Sequence, residues 1–121
     1  MSFARSVLFI ASAVALGAFV TTTAHADNAA VAKKIEAYVA KNNLQCMSCH
    51  AINHKVVGPA WIEVAERYHG KKGAAAMLAK NIANGNVGIW GQIPMPPGMA
   101  TPAQAKVLAK LVLALDTKGK K

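Results

Sequence analysis

Hydrophobic positions recur at helical spacing in four stretches of the chain. Val31, Ile35, Tyr38 and Val39 fall at i, i+4, i+7 and i+8, one face of a helix from Asp27 to Asn42. Asp27 or Asn28 can cap its start, and Lys33, Lys34 and Lys41 lie off the apolar face. Trp61, Ala65 and Tyr68 share a face of a second helix, from about Pro59 to His69. There Gly58-Pro59 marks a turn, proline suits the first helical position, and Gly70 supplies the stop. Met77, Leu78 and Ile82 form the stripe of a third helix, Ala74 to Asn84, with Gly85 beyond its end. The fourth opens on Thr101 as cap, Pro102 at the first position and Gln104 completing a capping box. Val107, Leu108, Leu111, Val112 and Leu115 face one way and Lys106 and Lys110 the other. Lys118–Lys121 reads as a frayed basic tail.

Residues 85–100 break the pattern. Gly85, Gly88, Gly91, Gly98, Pro94, Pro96 and Pro97 exclude a regular helix or strand. Yet the stretch carries Val87, Ile89, Trp90, Ile93 and Met95. Long structureless loops in compact domains are functional or disordered, and this apolar content argues against disorder. The pattern predicts an all-α domain with one long loop wrapped around something, without internal repeats or a linker.

The start of the chain is of another kind. Met1 to Ser6 is a short leader with Arg5, and Val7 to Val20 is an uncharged, mostly apolar run. That run suits a signal-peptide core and is short for a membrane span. Ala24-His25-Ala26 puts small residues where a signal peptidase needs them. Residues 1–26 are therefore expected to be removed after Ala26, leaving a single exported domain, 27–121; the alternative is an uncleaved anchor.

That domain is small, and domains of its size bury only about 60–65% of their unfolded surface. All three phenylalanines (Phe3, Phe9 and Phe19) fall in the leader, so Tyr38, Trp61, Tyr68 and Trp90 are its only aromatics. A domain so poor in bulk needs something else at its centre. The chain has 14 Lys and Arg against 5 Asp and Glu, net +9; Arg5 is the leader's only charge, so the domain is +8. This imbalance favours partners with acidic surfaces and speeds encounter with them. No basic helix or base-stacking motif accompanies it, so nucleic acid is not expected as a partner.

Cys46-Met47-Ser48-Cys49-His50 supplies the missing centre, because it reads as a c-type haem attachment site. Two thiols at this spacing can each add across one vinyl group of the same porphyrin, and the histidine that follows is a standard proximal ligand for haem iron. Export agrees with this, since bacteria attach c-type haem outside the cytoplasm. Other chemistries share the pentapeptide. A Cys46–Cys49 disulfide would make a thioredoxin-like motif, which expects a βαβ context. A zinc site would need His54 and His69 as further ligands. No second haem motif is present.

The sixth position of the iron needs its own ligand. Met95, between Pro94 and Pro96, is the leading candidate: a thioether is weak, neutral and flexible, and flanking prolines restrict the backbone that presents it. Met99 lies four residues on and is less constrained. Met77 reads as core, Met47 is too close to the attachment site, and His54 and His69 read as surface residues. Trp90 carries an N–H that wants an acceptor when buried, and a haem propionate would serve.

Together, Cys46 to His50, Val57-Gly58-Pro59, Asn84-Gly85 and Trp90-Gly91-Gln92-Ile93-Pro94-Met95-Pro96-Pro97 resemble the small class I bacterial cytochromes c. The nearer likeness is to the periplasmic carriers related to the Pseudomonas proteins that donate to nitrite reductase. The resemblance implies four to five short helices, the terminal pair crossing, around one haem with an exposed edge. It implies thioethers at Cys46 and Cys49 and axial ligation by His50 and Met95. It also implies a hydrogen bond from His50 to the Pro59 carbonyl and one from Trp90 to a propionate. Three features depart from the pattern. Lys41 to Gln45 is about one residue longer and lacks a glycine before Cys46. Asn81 stands where an arginine can serve a propionate, and Gly98 where an asparagine can stand near the methionine.

The function expected is that of a monomeric periplasmic single-electron carrier, not an enzyme. Lys55, Lys71, Lys72 and Lys80 would form a basic rim for acidic redox partners such as a nitrite reductase, terminal oxidase or peroxidase. The competing functions are an open-site haem sensor or peroxidase, and a haem subunit of a membrane-associated complex.

Overall fold

The structure is a computed structural model that describes residues 24–115 and 117. The leader through Thr23 and the basic tail lie outside the described residues. Four α-helices follow one another: α1 (Ala24–Lys41), α2 (Trp61–Tyr68), α3 (Ala74–Asn84) and α4 (Pro102–Leu113), with a 3-10 turn at Cys46–Ser48 between α1 and α2. Among the described residues there is no strand, only the isolated bridges His50–Lys55 and Asn86–Met95.

The first helix starts three residues earlier than its sequence signals suggested. Asp27 therefore lies in its first turn, where a carboxylate favours the helix dipole, and not at the cap. Ile35 is fully buried and Val39 nearly so, with Val31 and Tyr38 packed at the margin, as the periodicity required. At the other end Asn43 adopts a left-handed φ of 52°. The Leu44 amide then bonds the Val39 carbonyl at 3.0 Å and the Asn43 amide that of Ala40 at 3.1 Å. This pair of bonds is a Schellman closure. It turns the chain sharply and sends it straight into the 3-10 turn.

Pro59 is not the first residue of α2, contrary to the sequence expectation. The helix begins at Trp61, with Ala60 extended at the cap position. Its first amides are satisfied from outside: Trp61 N–H donates to the Ala51 carbonyl at 3.0 Å and Ile62 N–H to that of Ile52 at 2.9 Å. Glu63 reaches back to accept the Ala60 N–H at 3.1 Å. This short helix is buried on most of its surface, through Trp61, Ile62, Val64, Ala65 and Tyr68. It ends at Tyr68, and Gly70 takes φ +73° beyond it.

The third helix has the predicted bounds but not quite the predicted stripe. Leu78 and Ala79 are buried and Ile82 partly so, whereas Met77 is 41% exposed. The packing face is centred on the Leu78–Ile82 row, and Met77 lies one 100° step outside it. Val107 on α4 is likewise off the face, 40% exposed, while Ala105, Leu108, Ala109 and Val112 are buried. The α4 capping box forms as its sequence requires: Gln104 N–H donates to Thr101 Oγ1 at 3.2 Å, and Thr101 N–H to Gln104 Oε1 at 2.9 Å. α4 is the hub and packs against α1, α2 and α3. Two fully buried alanines on it, Ala105 and Ala109, leave room for that close approach.

Candidate functional site

The attachment turn is organised around the ring of His50. The His50 amide donates to the Cys46 carbonyl at 3.0 Å, closing the turn over Met47 and Ser48. The next residues loop out and return, with the Gly58 amide bonding the Cys49 carbonyl at 2.8 Å. The return carries Pro59 to the imidazole, whose Nδ1 lies 2.8 Å from the Pro59 carbonyl oxygen. A carbonyl can only accept, so Nδ1 is the donor, and in the neutral imidazole Nε2 is then the nitrogen with the lone pair. Trp61 stacks on the same ring, with centroids 5.8 Å apart and planes 27° from parallel. Gly58 leaves the ring its space, because a Cβ there would overlap Cε1. Neither cysteine is in a disulfide. Burial pushes the Cys46 thiol up from its ordinary value.

The methionine loop is fastened to the end of α3. Asn86 and Met95 exchange two backbone bonds, 3.1 Å and 2.8 Å, and the Gly98 amide donates to the Ala83 carbonyl at 3.0 Å. Gly85, at φ +68°, lies directly beneath the Met95 carbonyl, and only a residue without Cβ permits that approach. The Asn86 side chain turns its Nδ2 toward the Met95 sulfur at 4.0 Å.

The two halves face one cavity of about 290 Å³, lined by Cys46, Cys49, His50, Pro59, Trp90 and Met95 together. All six residues singled out in the sequence thus meet at one place. Trp61, Val64, Leu78, Ile82, Leu108 and Val112 supply an apolar lining. Two free thiols, an imidazole with an available Nε2 and a thioether in one apolar crevice fit a covalently held haem. They do not fit zinc: among the described residues no three His, Cys, Asp or Glu side chains group as metal ligands. His54 is exposed beside Asn53, and His69 is exposed at the end of α2.

Met99 also lines the cavity, 39% exposed, whereas Met47 and Met77 do not. Asn81 lines it too, donating to the Tyr68 hydroxyl at 3.0 Å. Gly98 does not, and the polar group beside the sulfur comes from Asn86. Of the four lysines expected at a rim, Lys55 lines the cavity and Lys71 lies 5.5 Å from the ring of Tyr68. Lys72 and Lys80 are exposed but do not line it. The sequence reading missed the contacts of Trp61, Asn86 and Arg67. Trp61 and Asn86 had visible signals, an indole eleven positions from His50 and an amide directly after the Gly85 stop. Arg67, with its guanidinium 4.8 Å over the Trp90 ring, had none.

Comparison with known proteins agrees with this geometry. The Cytochrome c family model matches residues 25–116. Cytochrome c-551 of Pseudomonas aeruginosa is 50% identical over 72 residues, 60% of this chain and 69% of that one. Cytochrome c-552 of Nitrosomonas europaea is 47% identical over 81 residues, 66% of this chain and 78% of that one. The crystal structure of the wild-type Nitrosomonas europaea cytochrome c552 superposes with a TM-score of 0.61 at 45% identity, covering 67% of this chain and 99% of that one.

Proposed function

We propose that this chain, which belongs to the cytochrome c family, is a periplasmic carrier that moves one electron at a time between redox proteins, with its haem iron held between His50 and Met95. Covalent haem c and electron carriage go with the family; the ligand pair, the compartment and the partners are the further content of this proposal. The observation that carries it is the convergence of Cys46, Cys49, His50 and Met95 on one cavity.

When bound, the haem supplies an iron that changes by one unit of charge without breaking a bond. The residues hold everything else still. The Pro59 carbonyl fixes the imidazole tautomer and raises the basicity of Nε2. Trp61 limits rotation of the ring. The double backbone bond to Asn86 and the flanking prolines hold the Met95 sulfur in place, so little reorganises as charge changes. Methionine beside histidine favours the reduced iron and raises its potential. With His50 and Met95 both holding the iron, no coordination position would be left for a substrate, which suits a carrier. Lys55 at the cavity and Lys71 near it suit an acidic redox partner.

The leader supports export, with cleavage after Ala26 leaving Asp27 as the first residue. Among the described residues no helix is long and apolar enough to cross a membrane.

The test is the absorption spectrum of the oxidised, haem-loaded protein and of Met95→Ala. A weak red-end band, present in the wild type and lost in the variant, marks methionine sulfur on ferric iron. A wild type without that band overturns the ligand assignment and brings back the open-site sensor or peroxidase.

A further inference from the structure

We propose that Asn86 is a positioning residue for the iron ligand: its side-chain N–H donates to the Met95 sulfur, orienting the thioether and weakening its donation to the metal. The inference rests on Met95 as the axial ligand and goes beyond it by naming the residue that sets the ligand's strength.

Three observations meet at Asn86. Its Nδ2 lies 4.0 Å from Met95 Sδ, with Asn86 half-buried at the edge of the cavity. Its backbone is tied to that of Met95 by a reciprocal pair of hydrogen bonds, 3.1 Å and 2.8 Å, so the two side chains start from neighbouring, fixed backbone positions. The backbone before it is set by Gly85, whose φ of +68° and close approach to the Met95 carbonyl admit no other residue without displacement. The amide is therefore delivered to the sulfur by rigid neighbours. On the other side of the methionine the loop offers nothing comparable. Pro96 and Pro97 have no N–H, and Gly98 has no side chain and gives its amide to Ala83.

A thioether sulfur has two lone pairs. One goes to the metal, and a donor aimed at the other draws density out of the sulfur. The ligand becomes poorer, which favours the electron-rich ferrous state over the ferric. The same contact selects one orientation of the sulfur. Loss of the donor should therefore shift the couple toward ferric iron and release the methyl group to sample a second orientation.

The experiment uses the haem-loaded protein and two variants, Asn86→Ala and Asn86→Leu. Both keep the backbone bonds, and leucine keeps the bulk. The readouts are the reduction potential, the position of the red-end band, and the proton NMR signal of the bound methionine methyl. A neutral hydrogen bond of this kind implies at most about a two- to tenfold shift of the ferric-to-ferrous ratio toward ferric at a fixed potential; for scale, a tenfold change is about 59 mV for one electron. The expected result is that shift in both variants, with a moved band and a broadened or doubled methyl signal. A purely structural asparagine would lower the melting temperature and leave potential and band where they were, and that result overturns the inference. Should the alanine variant fail to take up haem, the leucine variant decides by the same readouts. A wild type without the red-end band removes Met95 itself, whereas a wild type with the band and variants indistinguishable from it removes only Asn86.

Discussion

Gly58→Ala is the substitution on which the description of the histidine side depends most directly. Gly58 is not at positive φ, so alanine is acceptable to its backbone. Such a change ordinarily stabilises by about 0.4–1 kcal/mol, through the unfolded chain. Here the new methyl would overlap His50 Cε1 and stand 2.9 Å from Nδ1 and 3.0 Å from Nε2. Neither side can give way freely. The ring is held by the Pro59 carbonyl at 2.8 Å and by Trp61, and the glycine amide is bonded to Cys49 at 2.8 Å. Overpacking of this kind costs about 1–3 kcal/mol, and a stretched His50–Pro59 bond adds roughly 0.5–1.5 kcal/mol. The net expectation is a loss of about 2 kcal/mol, or about 8–16 °C in melting temperature for a domain of this size. Thermal unfolding of the haem-loaded protein, followed by far-ultraviolet circular dichroism, measures it. A variant as stable as the wild type, or more so, would refute the reasoning, because the two contributions have opposite signs.

Other substitutions separate strain, contact and charge. Gly85 (φ +68°, ψ 176°) and Gly88 (φ +86°) have backbones that favour glycine, so alanine at either costs about 1–3 kcal/mol in backbone strain. Only at Gly85 does the methyl also meet the Met95 carbonyl and the Pro96–Pro97 backbone, so Gly85→Ala alone should weaken the red-end band, while both lower the urea midpoint. Thr101→Ala removes the α4 cap and should cost about 0.5–2 kcal/mol in urea unfolding with the spectrum unchanged. Replacing Lys55 and Lys71 by glutamine should slow electron transfer to an acidic redox protein and flatten its dependence on salt in stopped-flow measurements; an unchanged salt profile would rule these lysines out of docking.

Much of this was legible in the sequence because it is local. The Thr101-Pro102-Gln104 signal needs nothing beyond its own turn, and the bounds of α3 follow from one glycine on either side. Cys46, Cys49, His50 and Met95 could be named as candidates because Cys46 to His50 and Pro94 to Pro96 are each short and chemically specific, whereas Pro59 entered through the wider resemblance and Trp90 through an indole N–H that wants an acceptor. What escaped is decided by tertiary contact. Pro59 looked like a helix start, but its carbonyl is committed to His50 and the carbonyls of Ala51 and Ile52 cap the helix instead. Met77 looked like core until the packing of α3 on α4 set which row faces inward. The contact of Arg67 with Trp90 joins residues from a helix and a loop that share no sequence pattern.

The two sides of the cavity differ in how each would hold the cofactor. The histidine side lies within Cys46 to Trp61 and carries both cysteines. The methionine side joins the end of α3 to the 94–98 stretch through backbone bonds and carries no cysteine. This asymmetry governs damage. A chain that loosens at Met95 keeps its cofactor covalently moored and its histidine side intact, so it can close again without having to be loaded a second time.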